Sequence, residues 1–238
     1  MKPVLIVTAT KSENIDQFKS RPIYYSLEKL FDHYRHVPSC SLNFHIVTNN
    51  TEGLSKVYNN FINDDNKDKI VLFVHDDVII HQIDLVENLN KAIENFDIIG
   101  LAGSEEFNIG EKNMWHICSD RSKHSGSVTH VIPNTDLVCG SVYGPTPKRC
   151  LVMDGLFLAV NIERAISQEW KFDEDFDFHF YDLSSCLLAN QKRLKMGTWN
   201  INVTHYGIGD SCFSTSWEEN NKKFVEKWTS TKSSQPSS

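Results

Sequence analysis

The chain has 238 residues, 40% hydrophobic and 23% charged, with a formal net charge of −7. That length suits one large domain with a full α/β core, and the acidic balance argues against nucleic acid as a main partner, because phosphate binding needs a basic surface. The longest apolar runs, such as residues 70–74, fall far below the roughly 20 residues that span a bilayer, so no transmembrane segment is expected.

The amino terminus, Met-Lys-Pro-Val-Leu-Ile-Val-Thr, reads as a strand and not as a signal peptide, which points to a cytoplasmic protein. Six cysteines (Cys40, Cys118, Cys139, Cys150, Cys186 and Cys212) include no C-x-x-C pair and read as free thiols.

Residues 3–8 are a β-branched apolar run and predict a buried strand. Ile23, Leu27, Leu30, Phe31 and Tyr34 follow at helical spacing, with Pro22 in the first turn. A second strand is predicted at residues 43–48. A second helix is marked by Leu54, Val57, Tyr58, Phe61 and Ile62, with Thr51 as its cap. Residues 70–74 give a third strand, apolar on both faces. Leu85, Leu89, Ala92, Ile93 and Phe96 give a third helix, and residues 97–101 another strand. Repeated β-α-β units predict a mostly parallel, doubly wound sheet with helices on both faces. Ligands of such sheets sit beyond the carboxyl ends of the strands, which brings residues 8–10, 48–50 and 75–77 to one rim.

The second half reads differently. Residues 103–150 are rich in Gly, Ser, Asn, Pro and His, and predict loops and irregular strands over the binding face. Residues 151–160 form an apolar strand region interrupted by Asp154-Gly155. A helix is predicted from Asp182 to about Leu194, and a strand at 198–204. Ser216 with Glu219 makes a capping box for a last helix whose inner face carries Trp217, Phe224 and Trp228. The Ser/Thr-rich tail, residues 229–238, reads as disordered or as a linker to an additional domain. The organisation expected is one domain over 1–228 in two parts, 1–102 and a smaller 103–228.

Three segments carry chemistry. In Val-His-Asp-Asp-Val (74–78), two adjacent carboxylates follow a buried strand; they either hold a hard divalent cation, which relieves their repulsion, or form a polar loop before the next helix. Residues 172–182 interleave five acids with five aromatic residues and a His, which suits a wall that stacks on sugar rings, or else a partly buried loop with outward acids. His205 follows a strand in Thr-His-Tyr-Gly-Ile-Gly-Asp, as a ligand or as a structural histidine, with Gly207 and Gly209 permitting a tight loop. Residues 103–130 and 205–216 are candidate lids. There is no G-x-S-x-G elbow, no G-x-x-x-x-G-K-S/T loop and no G-x-G-x-x-G after the first strand.

The order of several pieces resembles the family 2 glycosyltransferases, whose fold is called GT-A, and within them a small bacterial and viral subgroup with the metal motif Phe-Val-His-Asp-Asp-Val. The pieces are the Val-Thr-Ala-Thr strand end, Leu54-Ser55-Lys56-Val57-Tyr58-Asn59, residues 72–78, Asp154-Gly155-Leu156-Phe157-Leu158-Ala159, residues 172–176, Tyr181-Asp182-Leu183, and His205. The resemblance implies a metal-dependent, inverting, hexosyltransferase-type enzyme that moves a sugar from a nucleotide-diphosphate donor, by commonness a UDP-sugar, to a hydroxyl of a glycan or related acceptor.

By the same resemblance, residues 1–102 would be a nucleotide-binding half and residues 103–228 an acceptor-side half. Asp77 and His205 would bind Mn²⁺ or Mg²⁺. Asp76 would bond the donor ribose or sugar. Thr8, Thr10, Asn49, Asn50, Leu54 and Asn59 would line the nucleotide pocket. Asp154 and Gly155 would border the donor sugar and acceptor, and Asp182 would be the general base. The chain departs from the common pattern at His75, where relatives carry the first Asp of Asp-x-Asp, at Tyr181 in place of Glu, and at Ser184 in place of Asp. Two rival expectations are a non-catalytic sugar- or nucleotide-binding module on the same fold and a metal-dependent phosphoesterase.

Overall fold

In the computed structural model, residues 1–132, 135, 137–207 and 214–230 are described. The first half contains β1 (Val4–Ala9), α1 (Ile15–Phe18), α2 (Pro22–Tyr34), β2 (Leu42–Val47), α3 (Leu54–Asn59), β3 (Ile70–Val74), β4 (Val78–Ile80), α4 (Leu85–Ala92), β5 (Ile98–Gly100) and β6 (Ala102–Ser104). The second half contains β7 (His124–Val131), β8 (Val138–Gly144), β9 (Lys148–Arg149), β10 (Val152–Met153), β11 (Phe157–Asn161), α5 (Ile162–Ser167), α6 (Tyr181–Gln191), β12 (Met196–Thr198), β13 (Val203–His205) and α7 (Thr215–Ser230).

The main sheet has seven strands in the order β2-β1-β3-β11-β5-β12-β9. β1, β2, β3, β5 and β12 share one direction, while β11 and β9 run against it. Every residue of β3 and β11 is buried, as befits central strands covered on both faces. α2 begins with Pro22, whose missing N–H costs nothing there, and buries Ile23, Leu27, Leu30 and Tyr34 along one stripe. The mostly parallel α/β sheet expected from the β-α-β pattern is therefore present, with one reversed strand inside it.

A second sheet, β10-β6-β7-β13-β4 with β8 on β7, replaces most of what residues 103–150 were expected to be. Four of its strands, β4, β6, β10 and β13, have only two or three residues, and no periodicity marks them. The chain steps repeatedly between the two sheets, among other places at residues 75–77 between β3 and β4, at Leu101 between β5 and β6, at 154–156 between β10 and β11, and at 199–202 between β12 and β13. The predicted strand at 198–204 is in fact the last of these steps. The seam between the sheets is where the polar residues of interest lie.

Three local expectations are corrected. α3 is capped at Gly53, not Thr51, with no side-chain cap bond. The third helix stops at Ala92, before Ile93 and Phe96. Ser214, not Ser216, caps α7, its Oγ accepting from Trp217 N–H at 3.2 Å. The inner face of α7 does bury Trp217, Phe224 and Trp228, together with Asn221. α7 extends to Ser230, into the segment read as tail; residues 231–238 lie outside the described residues, as do Gly209, Cys212 and most of the second candidate lid. The first candidate lid, 103–130, begins and ends in β6 and β7. Five cysteines are free: Cys40, Cys118, Cys139, Cys150 and Cys186. Among the described residues no helix is long and apolar enough to cross a membrane.

Candidate functional site

A cleft of about 500 Å³ opens at the carboxyl ends of β1 and β3. Ala9 and Thr10 line it from β1 and the residue after it, Asn50 to Leu54 from the loop into α3, and His75, Asp76 and Asp77 from the β3–β4 step. The rim that strand topology alone predicted is this one.

Asp76 and Asp77 are neighbours in sequence and opposites in circumstance. Both Asp76 carboxylate oxygens are engaged: Oδ2 accepts from the Thr10 hydroxyl at 2.6 Å, and Oδ1 accepts from Arg21 Nη2 at 2.8 Å. Arg21 stands just before α2, and the Asp76 carbonyl accepts from Ile23 N–H, so the start of α2 is tied to the tip of β3 by side chain and backbone together. Asp77 points to the seam. Its Oδ2 lies 3.3 Å from His205 Nε2, while its Oδ1 is buried with no hydrogen-bond partner. Burial pushes the Asp77 carboxyl up, but the hydrogen bond and charge of His205 outweigh it and hold the carboxyl below its usual range.

His205 is set opposite Asp77 by β13, which pairs with β4 on one side and β7 on the other. Its Nδ1 lies 3.3 Å from Nδ1 of His130, its register partner on β7. Burial, and next the neighbouring His205, lower the His130 pKa and keep that ring neutral. A Cβ on Gly207 would sit 3.0 Å from His205 Nε2 and 3.3 Å from Asp77 Oδ2, so a glycine there leaves a small cradle beside both groups.

A buried carboxylate oxygen without a partner is expensive, and Asp77 Oδ1 is one. Together with an imidazole and a cradle beside them, it fits a divalent cation that prefers oxygen and tolerates nitrogen, as Mn²⁺ does. Among the described residues no three His, Cys, Asp or Glu side chains converge. A cation held here would take two protein ligands, Asp77 and His205, and complete its shell with phosphate oxygens and water.

Behind the cleft, His75 and residues 154–182 form a second polar layer. Tyr181, whose hydroxyl is kept protonated by burial, donates to the Gly155 carbonyl at 2.8 Å, and His75 Nε2 lies 3.0 Å from the same hydroxyl. Burial lowers the His75 pKa, so the ring is neutral. It stacks on Phe178 at 6.0 Å between centroids. Asp182, in the first turn of α6, accepts from Gly155 N–H at 2.9 Å and from Leu183 N–H at 2.8 Å. Burial, and next the charge of Asp154, push its carboxyl up to about 7. Asp154 accepts from Leu156 N–H at 3.0 Å and faces Trp115 Nε1 at 3.4 Å. Only glycine fits at 155, since a Cβ would lie 2.5 Å from the Tyr181 hydroxyl and 2.9 Å from Asp182 Cβ.

The residues named from sequence thus divide. Thr10, Asn50, Leu54, Asp76 and Asp77 line the cleft; His205 joins Asp77, and Asp154, Gly155 and Asp182 form the layer behind. Thr8, Asn49 and Asn59 do not line it. Thr8 is fully enclosed in β1. Asn49 turns the chain at φ 50°, its N–H bonded to the Ser12 carbonyl. Asn59 accepts from Phe172 N–H at 2.8 Å and donates to the Phe172 carbonyl at 2.9 Å and to Glu174 at 2.8 Å, joining α3 to the acid-aromatic segment. That segment is mostly structural. Asp173 and Asp175 pair with Lys227 of α7, and Phe172, Phe176 and Phe180 are buried, whereas Asp177 and Phe178 reach the cleft. Lys11, Ser12, Arg21 and His130 were missed. Arg21 and His130 belong to no motif, and only the fold brings them to the site.

No curated protein sequence matches the chain. Two solved structures are similar to it in shape: Staphylococcus aureus TarS (residues 1–349, in complex with UDP), at 14% identity and TM-score 0.46, covering 86% of this chain and 60% of that one; and GalNAc-T7 with UDP, GalNAc and Mn²⁺, at 11% identity and TM-score 0.48, covering 95% of this chain and 48% of that one. The sequence profile described as "Glycosyltransferase like family" matches residues 24–228, which include α2, both sheets' central strands and α7. The chain belongs to the glycosyltransferase-like family.

Proposed function

We propose that this protein is a metal-dependent, inverting glycosyltransferase that moves a hexose from a nucleotide-diphosphate sugar to a hydroxyl of a glycan or related acceptor. The observation that carries the reading is the Asp76–Asp77 pair at the mouth of the cleft. One carboxylate is locked by Thr10 and Arg21, and the other keeps a buried oxygen free beside His205.

The nucleotide lies in the 500 Å³ cleft, with Thr10, Asn50 and Leu54 at its walls and the locked Asp76 offering carboxylate lone pairs to ribose hydroxyls. Lys11 and Arg21 add positive charge on the side where the diphosphate lies. Asp77 and His205 hold the cation, which supplies Lewis-acid neutralisation of the leaving diphosphate. The sugar is bordered by the Asp154-Gly155 turn, and the face of Phe178, half exposed and stacked on His75, offers it an apolar platform.

Asp182 is the general base. Its raised pKa places it near neutrality, where a carboxylate is both ionised and basic enough to take the proton of an attacking hydroxyl, an effect of ~10²–10⁴-fold. One base and attack opposite the leaving group give a single displacement with inversion. UDP-sugars are the first donors to test.

The test is transfer from a panel of nucleotide sugars, followed by chelation and Mn²⁺ addition. The reading expects transfer that chelator abolishes and Mn²⁺ restores. Full activity in excess chelator would reject the metal role. Donor binding by calorimetry with neither transfer nor hydrolysis would favour the non-catalytic module, and phosphate release without an acceptor the phosphoesterase.

A further inference from the structure

A second cavity, of about 420 Å³, lies at the opposite end of the main sheet from the cleft. Asn95 and Phe96 enter it just before β5, Arg193, Leu194 and Lys195 just before β12, Asn190 from the end of α6, and Arg149 from β9. β5 and β12 run parallel to β3, so these residues stand at the amino ends of strands whose carboxyl ends face the Asp76 side.

Its chemistry is unlike the rest of the surface. The protein carries a net charge of −7, yet the cavity is lined by three cations and no carboxylate. Some lysines and arginines elsewhere meet an acid, as in Lys2–Glu163, Lys148–Glu105 and Arg164–Asp97. Among the described residues none of Arg149, Arg193 and Lys195 stands in an ion pair. Three exposed cations line one cavity, and an anionic ligand there would meet favourable charge from each.

Arg193 is brought to the cavity by the turn that ends α6, a turn that Glu169 repeats after α5 at φ 51°. Arg193 follows the Lys192 cap of α6 at φ 59°, with its N–H bonded to the Asn190 carbonyl and that of Leu194 to the Ala189 carbonyl. This left-handed position at a helix end is where glycine is preferred, and a larger side chain there is strained. The turn leaves Arg193 lining the cavity.

The floor carries further information. A Cβ on Gly197 would collide with the Phe96 ring, so the bare glycine lets that ring lie against β12. Phe96 remains partly exposed in the cavity, flanked by the amides of Asn95 and Asn190. An aromatic face stacks on a sugar ring, amides bond hydroxyls, and guanidinium groups pair with carboxylate or phosphate.

We propose that this cavity binds an anionic carbohydrate, a sugar bearing phosphate or carboxylate, at a site separate from the cleft. Amide chemical shifts of the metal-free protein, titrated with glucose 6-phosphate, with glucose and inorganic phosphate as controls, test it. Glucose 6-phosphate is expected to shift amides of residues 95–96, 149 and 190–195, and to bind at least ~10-fold more tightly than either control, the discrimination that one added charge-assisted contact worth about 1.4 kcal/mol supplies.

Arg193→Gly relieves the backbone strain while removing the charge, so it should raise Tm by about 2–4 °C and weaken the sugar phosphate several-fold. Arg193→Gly combined with Lys195→Ser should weaken it at least ~10-fold and leave shifts around Asp76 as they are in the unmodified protein. Shifts confined to the Asp76 cleft, undiminished binding in the double variant, or equal affinity for glucose would each overturn the proposal. None of these readouts depends on transferase activity.

Discussion

The two sides of the β3 tip handle charge in contrasting ways. On the α2 side, Asp76 has both oxygens bonded and a cation beside it. On the seam side, Asp77 keeps a buried oxygen unpaired, His205 and His130 meet nitrogen to nitrogen, and burial, with the charge of Asp154 added, pushes the Asp182 carboxyl up to about 7. A satisfied group positions; a frustrated one is held in readiness for something absent. Natural folds tolerate unsatisfied polar groups chiefly where function requires them. Under the proposed function the seam is the reacting side and the α2 side the frame, where Arg21 Nε is the one polar atom of the Asp76 cluster left buried without a partner among the described residues.

The largest effects should come from the frustrated groups. Asp77→Ala is expected to abolish metal-dependent nucleotide binding, read by calorimetry with and without Mn²⁺. It should lower Tm only modestly, because the loss of the pair between Oδ2 and His205 is offset by removal of the buried, unpartnered Oδ1. A large loss of stability with metal binding intact would mean that Asp77 belongs to the frame.

Asp182→Asn is next. Turnover should fall at least ~100-fold with donor affinity unchanged. In the unmodified protein kcat/KM should rise with pH through about 7, as the carboxyl loses its proton, and this limb should vanish in the variant. The stability of the fold carries the same sign. The folded pKa exceeds the ordinary carboxyl value of ~3.9, so ionising Asp182 costs stability as pH rises from ~4 through 7, a cost the amide escapes. Near-normal turnover in Asp182→Asn would reject the base.

Arg21→Ala probes the frame itself. It leaves Asp76 with only Thr10, and donor affinity should fall about 10-fold, or ~1.4 kcal/mol, within the range for a hydrogen bond to a charged group that is partly solvated. Metal affinity should hold. Loss of metal binding would show that frame and seam are one unit.

How much of this the sequence carried follows from length and locality. α2, β3 and α7 are long enough for periodicity to speak, and the carboxyl-end rule turned that reading into a cleft. The second sheet stayed hidden because β4, β6, β10 and β13 have two or three residues each, too few for alternation to register. Their pairing, such as β13 against β7 across 75 residues, is a tertiary fact. The same limit explains the site. His75-Asp76-Asp77 is a local string at a strand end and was legible. Arg21 and His130 reach it from 55 and 75 residues away, through a helix start and a strand pair that carry no signature of their own.

Asn59 marks where resemblance misled, and its variant should have the smallest effect on chemistry. A residue of the Leu54–Asn59 segment was expected in the nucleotide pocket. Instead the Asn59 side chain is buried, bonding the backbone of Phe172 on both sides and the carboxylate of Glu174. Asn59→Ala would leave the Phe172 N–H and carbonyl unpaired in the interior, at about 1–3 kcal/mol for each orphaned group. Tm should drop by several degrees. Donor affinity, measured well below the new Tm, should stay within a factor of two, because no atom of Asn59 faces the cleft. A matched loss of donor affinity would return Asn59 to the pocket and show that the joint between α3 and residues 172–174 helps to shape the wall on which Phe178 stands.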